Sequence, residues 1–172
     1  MREAGLPTVY VSLGSNLGDR ARSLREAARR LHAGPNRVTA CSHVYETEHV
    51  GDADLPQPDY LNAVLRLETS LTAHLLLRHT QAIERALGRA ASPTVKPRTI
   101  DIDILLYDTL EISDEVLTIP HPRAALRRFV LQPLLELDPD IRFPNGRSAR
   151  QLLGDLPKDS QPVRPVTDFS WV

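Results

Sequence analysis

The sequence is short of several things at once. It has one cysteine, Cys41, in 172 residues, so no disulfide can form within the chain and a reducing compartment is expected. Cys41 lies in an alternating apolar stretch, which suits a small buried hydrophobe better than a nucleophile. Lysine is nearly absent: Lys96 and Lys158 are the only two, and the arginines are scattered along the chain. The formal net charge of −1 gives no global basic field to draw the protein to nucleic acid or a membrane surface. No apolar run approaches the ~20 residues that a membrane span needs. Residues 1–7 lack the apolar core of a secretory signal. These absences lead to the expectation of a soluble cytoplasmic protein with no nucleic-acid and no membrane partner, a monomer or a dimer.

What is present is an ordinary globular balance, 41% hydrophobic and 25% charged, enough to build one core in a single domain spanning 1–172. Val9, Val11 and Leu13 alternate with Tyr10 and Ser12, a strand pattern. Residues 14–18 form a glycine-rich turn, with no Lys-Ser/Thr after the second glycine as a Walker loop would require. Asp19 can cap the following helix, where Leu24, Ala27, Ala28 and Leu31 make one apolar face until Gly34-Pro35 stops it. Residues 38–47 read as a second strand. Residues 48–59, with two prolines, one glycine and three aspartates, read as a long loop of the functional kind.

Residues 60–68 read as a third strand with Leu61, Ala63, Leu65 and Leu67 on one side and Tyr60, Asn62 and Val64 on the other. A helix capped by Thr72 buries Leu76, Thr80, Ile83 and Leu87 and ends at Gly88. Residues 89–99 are irregular, and 100–107 are a clear strand, with 110–112 pairing back beside it. Residues 129–137 and 148–156 read as helices, and the tail after Pro157 as irregular. The order strand, helix, strand, strand, helix, strand implies an α+β sandwich with a mostly antiparallel sheet.

Four clusters carry possible chemistry. In Arg98-Thr99-Ile100-Asp101-Ile102-Asp103-Ile104 the isoleucines bury one strand face, and Asp101 and Asp103 project from the other with α-carbons about 6.6 Å apart. Two carboxylates so close repel unless a cation sits between them, and Mg²⁺ accepts one or two carboxylates with phosphate oxygens and water. On residue type alone a solvated strand face and a metal site remain open. Gln81 and Glu84 are i, i+3 neighbours on the polar side of the second helix, with Arg89 beyond its end, and an ordinary solvated helix face explains them equally. Tyr60 and Asn62 place a ring and an amide side by side, fit to stack on and hydrogen-bond a flat heterocycle, or to lie under a loop. Ile119-Pro120-His121-Pro122, followed by Arg127, Arg128 and Phe129, fixes a histidine in an extended loop, with no second histidine at metal spacing.

Together these segments resemble the 6-hydroxymethyl-7,8-dihydropterin pyrophosphokinase family of the folate pathway. The residues that carry the likeness are YVSLGSNLGDR (10–20), PDYLNAV (58–64), the Gln81/Glu84/Gly88/Arg89 helix end, PRTIDIDILLYD (97–108), IPHP (119–122) and RRFVLQPLLE (127–136). The family's usual aromatic two residues before Pro97-Arg98, its proline after Thr47 and its common tyrosine after His121 are replaced by Val95, Glu48 and Pro122. The resemblance implies a ferredoxin-like α+β fold and transfer of diphosphate from ATP to a hydroxymethyl-dihydropterin. It implies that Asp101 and Asp103 hold two Mg²⁺ ions with ATP, and that Arg89 and Arg98 join them in catalysis. Gln81, Glu84, Arg89, Arg98, Ile104, Thr118, His121 and Arg127 would line the ATP site. Tyr60 and Phe129 would sandwich the pterin, with Asn62, Thr47 and the backbone near Val50 reading its edge. Loops 48–59 and 89–99 would order when both ligands bind. Two rivals are a nucleotidyltransferase, which pairs a Gly-Ser turn with a nearby Asp-x-Asp strand, and a non-enzymatic ferredoxin-like ligand-binding or regulatory module.

Overall fold

A computed structural model describes residues 5–49, 57–88, 97–158 and 160–172. The chain runs β1 (Thr8–Ser15), α1 (Arg20–Leu31), β2 (Asn36–Cys41), β3 (Tyr45–Thr47), β4 (Tyr60–Thr69), α2 (Ala73–Ala86), β5 (Asp101–Tyr107), β6 (Ile112–Ser113), β7 (Thr118–Ile119), α3 (Arg128–Leu137), α4 (Ala149–Asp155) and β8 (Val163–Pro165). A short 3₁₀ turn, Ala124–Leu126, precedes α3. The main sheet has the order β5-β1-β4-β3-β8, with β2 also on β4, and every pairing is antiparallel. Two strand–helix–strand halves thus interleave, the ferredoxin-like arrangement expected from the order of elements.

Alternation along β1, β4 and β5 sends side chains to two cores. Val9, Val11, Leu13, Leu61, Ala63, Leu65, Leu67, Ile102 and Ile104 pack with Leu24, Ala27 and Leu31 of α1 and Leu76 and Ile83 of α2. Tyr10, Val64, Leu105 and Leu106 pack on the opposite face with Val130, Leu131 and Leu134 of α3 and Leu152 of α4. The caps fall where the residue types place them. The Asp19 carboxylate accepts the Arg22 N–H, and Thr72 Oγ1 accepts the Leu75 N–H. Ser148 and Gln151 close a capping box on α4. Gly88 takes φ +91° after α2, a conformation that side-chain-bearing residues avoid.

Three expectations are corrected. The strand expected over 38–47 is two strands, because Ser42 breaks it: its N–H donates to the Val64 carbonyl while its Oγ accepts the Val64 N–H. Residues 110–112 do not pair with β5. Ile112 and Ser113 pair instead with Thr118 and Ile119, because the Asp114 carboxylate accepts the Val116 and Leu117 N–H groups and closes a tight turn. The tail is not wholly irregular: Val163–Pro165 pairs with β3, and Phe169 and Trp171 pack against the α1/α2 core. The strand expected over 100–107 is present as β5 and carries a bulge opposite Tyr10/Val11, so that Leu105 and Leu106 both face α3 and α4.

Candidate active site

Two cross-strand rows build the site, on the sheet face that α3 and α4 cover at its other end. Val64, Ser12 and Asp103 are partners across β4, β1 and β5, and one step further along lie Asn62, Gly14 and Asp101. Gly14 and Asp101 are far apart in sequence and adjacent in space, so sequence distance is no argument against a turn-plus-acidic-strand site. Adjacent strands lie about 4.8 Å apart, which sets Asn62 and Asp101 roughly 10 Å from one another across the glycine. A side chain there would be crowded: a Cβ on Gly14 would meet Asn62 Oδ1 at 3.1 Å, so that the amide would have to give by a few tenths of an ångström, and the Tyr60 ring at an ordinary 3.5 Å.

Asp101 and Asp103 lie together, half-buried, with cationic groups converging on them. Arg98 Nη1 donates to Asp101 Oδ1 at 2.9 Å. His121 Nε2 stands 3.6 Å from Asp103 Oδ2. Its Nδ1 accepts the Arg123 N–H, which leaves the ring proton on Nε2, facing Asp103. The main chain of His121 is held as well, its N–H donating to the Leu105 carbonyl at 2.9 Å. Burial pushes the imidazole below its ordinary pKa; Asp103 opposes the shift, and Arg127 and Arg123 add to it. Arg127 is likewise lowered, by burial first and then by Arg123.

Among the described residues no three His, Cys, Asp or Glu side chains gather as a ready-made metal cage. Two carboxylates side by side, beside arginines, instead suit a hard cation that brings phosphate and water as its remaining ligands, which is how Mg²⁺ binds.

Gln81 and Glu84 do not share a solvated face. Gln81 is exposed, whereas Glu84 is 3% exposed and accepts the Ile102 N–H at 2.7 Å. Three residues of helix turn one side chain by about 60° from the other, enough to bring Glu84 onto the outer edge of β5. The Ile104 side chain is in the α1/α2 core, on the face away from Asp101 and Asp103. What Ile104 can offer a ligand is its backbone: it sits two residues from Ile102 on the sheet's outermost strand, so its polar groups point the same way as the Ile102 N–H. Thr118 is exposed on β7.

Thr47, Tyr60 and Asn62 do come together. Thr47 is the cross-strand partner of Tyr60. Asn62 Nδ2 donates to Thr47 Oγ1 at 2.7 Å, and both residues are buried. The Tyr60 ring stacks on His49, with centroids 6.0 Å apart and planes at 25°. Phe129 opens α3, with the Arg127 guanidinium 5.4 Å over its ring. Its neighbour Arg128 turns away, donating to the carbonyls of Ser160 and Pro157. Val50, Arg89 and Val95 lie outside the described residues, as does most of the two loops expected to order on binding.

Sequence reasoning missed Asn16 and Arg123. Asn16 is 2% exposed and joins the segments that flank the site. Its Nδ2 donates to Gln57 Oε1 and the Pro58 carbonyl, and its Oδ1 accepts the Arg98 N–H. The available signal was an amide side chain between two glycines at a strand exit, able to donate and accept at once.

The 7,8-dihydro-6-hydroxymethylpterin-pyrophosphokinase family profile matches residues 10–139. The chain belongs to this family. Within it, the 2-amino-4-hydroxy-6-hydroxymethyldihydropteridine pyrophosphokinase of Methylorubrum extorquens is 44% identical over 148 residues, 86% of this chain and 92% of the relative. The Bacillus subtilis protein of the same name is 46% identical over 129 residues, 74% of this chain and 76% of its own. The folic acid synthesis protein fol1 of Schizosaccharomyces pombe is 41% identical over 162 residues, where the match takes in 93% of this chain but 22% of that longer protein. A solved HPPK-DHPS crystal structure in complex with substrates shares the fold, with a TM-score of 0.69 at 12% identity over 88% of this chain and 43% of that one. The residues matched by the pyrophosphokinase family profile include both aspartates and the Thr47–Tyr60–Asn62 wall, and they end before α4 and β8.

Proposed function

We propose that this protein transfers diphosphate from ATP to 6-hydroxymethyl-7,8-dihydropterin in folate biosynthesis, releasing AMP, and that residues 1–172 form one pyrophosphokinase domain. The observation that carries the reading is the row Asn62–Gly14–Asp101, which sets an amide and a carboxylate on one sheet face with only a glycine between them, an arrangement suited to reading a heterocycle at one end and binding a metal at the other. A pterin stacked on Tyr60, with its edge at Asn62 and Thr47, directs its one-carbon hydroxymethyl arm across Gly14 toward the aspartates. Phe129 supplies the second stacking surface, and the backbone near Val50 contributes to the edge.

In the reaction the substrate oxygen bonds to the β-phosphorus of ATP, and the bond from that phosphorus to the α–β bridging oxygen breaks. AMP leaves with the bridging oxygen, and the hydroxyl proton is released. Such a transfer depends on positioning and charge neutralisation more than on covalent help. Asp101 and Asp103 would hold two Mg²⁺ ions, which supply charge neutralisation on the phosphates and acidify the hydroxyl. Arg98, Arg127 and, from outside the described residues, Arg89 orient the phosphates with guanidinium groups that stay charged. His121 presents its Nε2 proton to the same place. Glu84 fixes the edge of β5, where the backbone of Ile104, with Gln81 and Thr118 nearby, receives the nucleotide. The reading places the protein in the cytoplasm, with Cys41 as a packed thiol whose pKa burial raises. Either a monomer or a dimer fits it, and it calls for no nucleic-acid or membrane partner; no helix among the described residues is long and apolar enough to cross a membrane.

Product analysis tests the reading. Mg-ATP and hydroxymethyl-dihydropterin should yield AMP in step with pterin diphosphate. ADP as the nucleotide product would overturn it.

A further inference from the structure

Four charged groups meet behind the pterin wall, on the sheet side that faces α1. Arg20, the first residue of α1, donates from Nη1 to the Asp59 carbonyl at 2.7 Å and from Nη2 to Glu46 Oε1 at 2.8 Å. Arg164 on β8 donates from Nη2 to Asp59 Oδ2 at 3.0 Å and lies directly opposite Glu46 in the β3–β8 pairing. Glu46 immediately precedes Thr47, and Asp59 immediately precedes Tyr60, while Thr47 and Tyr60 are themselves cross-strand partners. The two arginines therefore grip the residue before each member of that pair.

We infer that Arg20 and Arg164 are positioning residues for the pterin-binding wall: by fixing Asp59 and Glu46 from behind, they hold Tyr60 and the Thr47–Asn62 pair in the orientation that receives the heterocycle. The inference rests on the pterin-binding role proposed for Tyr60, Asn62 and Thr47. Arg20 is suited to the task because a guanidinium is a planar fork that can serve a carbonyl and a carboxylate together, which a lysine cannot do in the same geometry. Its side chain and that of Glu46 are about a third exposed, so the ion pair adds little to global stability. Its effect is concentrated on where Asp59 and Glu46 lie. Arg164 is outside the residues matched by the family profile. The tail that carries it is anchored independently, through Val166 N–H to the Val44 carbonyl, Trp171 Nε1 to the Ser42 carbonyl and Arg25 Nε to the Ser170 carbonyl. Removing the Arg164 charge therefore leaves β8 in place.

The test compares wild type with Arg20→Met, Arg20→Lys and Arg164→Ala, using steady-state kinetics, pterin titration, thermal melting, and amide exchange of the ligand-free proteins. Arg20→Met should raise both KM and Kd for hydroxymethyl-dihydropterin about tenfold and leave KM for Mg-ATP within about twofold. It should also speed exchange at residues 60–62. Arg164→Ala should shift the same quantities the same way by a smaller factor, and Arg20→Lys should recover part of the loss because one of two hydrogen bonds survives. Unchanged pterin Kd in Arg20→Met beside a binding wild type would overturn the inference. So would a parallel rise in both KM values with a lowered Tm, the signature of general destabilisation. A wild type that binds no pterin would overturn the functional reading instead, and unchanged exchange at 60–62 in Arg20→Met would then still refute the buttress.

Discussion

The two faces of the central sheet use the same strands for opposite purposes. On one, residues of β1, β4 and β5 are sealed beneath α1 and α2, and nearly every inward position is Val, Leu, Ile or Ala. On the other, α3 and α4 cover one end, and the remaining end holds Thr47, Tyr60, Asn62, Gly14, Asp101 and Asp103. Neighbouring residues of one strand thus answer to different demands. Ile102 must exclude water, while Asp101 and Asp103, in the proposed reaction, meet ions and phosphates. A substitution among the sealed apolar residues of the first face should therefore unfold the protein before it alters chemistry, and one at the open end of the second should alter chemistry while the fold persists.

The sharpest test of that division is Asp101→Ala or Asp103→Ala. Turnover should fall by at least about a thousandfold, because the charge on the phosphates loses its counter-ions. Pterin binding by titration should remain, since stacking and hydrogen bonding to Asn62 need no carboxylate. Leu65, fully buried on the sealed face, offers the converse. Leu65→Ala should cost about 2–5 kcal/mol of stability in urea titration, with kcat per folded molecule unchanged. A large loss of kcat in folded Leu65→Ala would blur the two faces into one.

Gly14→Ala probes the boundary between them. The new methyl would press on Asn62 Oδ1, which can give way only by straining the Nδ2 hydrogen bond to Thr47. We expect pterin affinity to weaken by roughly 1 kcal/mol, with a smaller effect on the melting temperature. The last effect is confined to high pH and belongs to Tyr10, at the covered end of the chemical face. Burial, reinforced by the Asp138 carboxylate that accepts its hydrogen bond, pushes the phenol up to about 12. The unfolded chain releases that proton near its ordinary value of about 10. The contribution is therefore complete below pH 10 and is lost as pH rises from 10 through 12. Tyr10→Phe should flatten the fall in urea midpoint across that window.

The sealed face was legible in the sequence almost residue by residue. Its signal is periodicity, and periodicity depends only on which side chains must avoid water. The aspartate pair and the Tyr60–Asn62 pair were legible too, because an uninterrupted alternation placed them on one side of their strands. What stayed hidden depends on partners distant in sequence. Glu84 is buried because β5 offers it the Ile102 N–H. Asn16 matters because two segments elsewhere in the chain bring it Gln57, Pro58 and Arg98. Strand β8 exists because β3 leaves an edge open. Ser42 splits an otherwise continuous strand because its hydroxyl takes over one hydrogen bond of β4. None of these has a period that would announce it, and only Asn16, set between two glycines at a strand exit, has a local composition that hints at its role.

The bulge in β5 has a meaning of its own. One extra residue shifts the phase of the strand, so that Asp101 and Asp103 before it and Leu106 after it face the same way although they are of opposite parity in the chain. The strand becomes two half-sentences in different frames. The first can be written for ions without disturbing the second, which is written for packing. The residue at the frame shift, Leu105, gives its carbonyl to His121, so the join between the frames also pins the histidine that faces Asp103. Deleting Leu105 would leave both halves on their present faces, since Ile104 and Leu106 would then alternate opposite Val11 and Tyr10, but it would take away the carbonyl that holds His121.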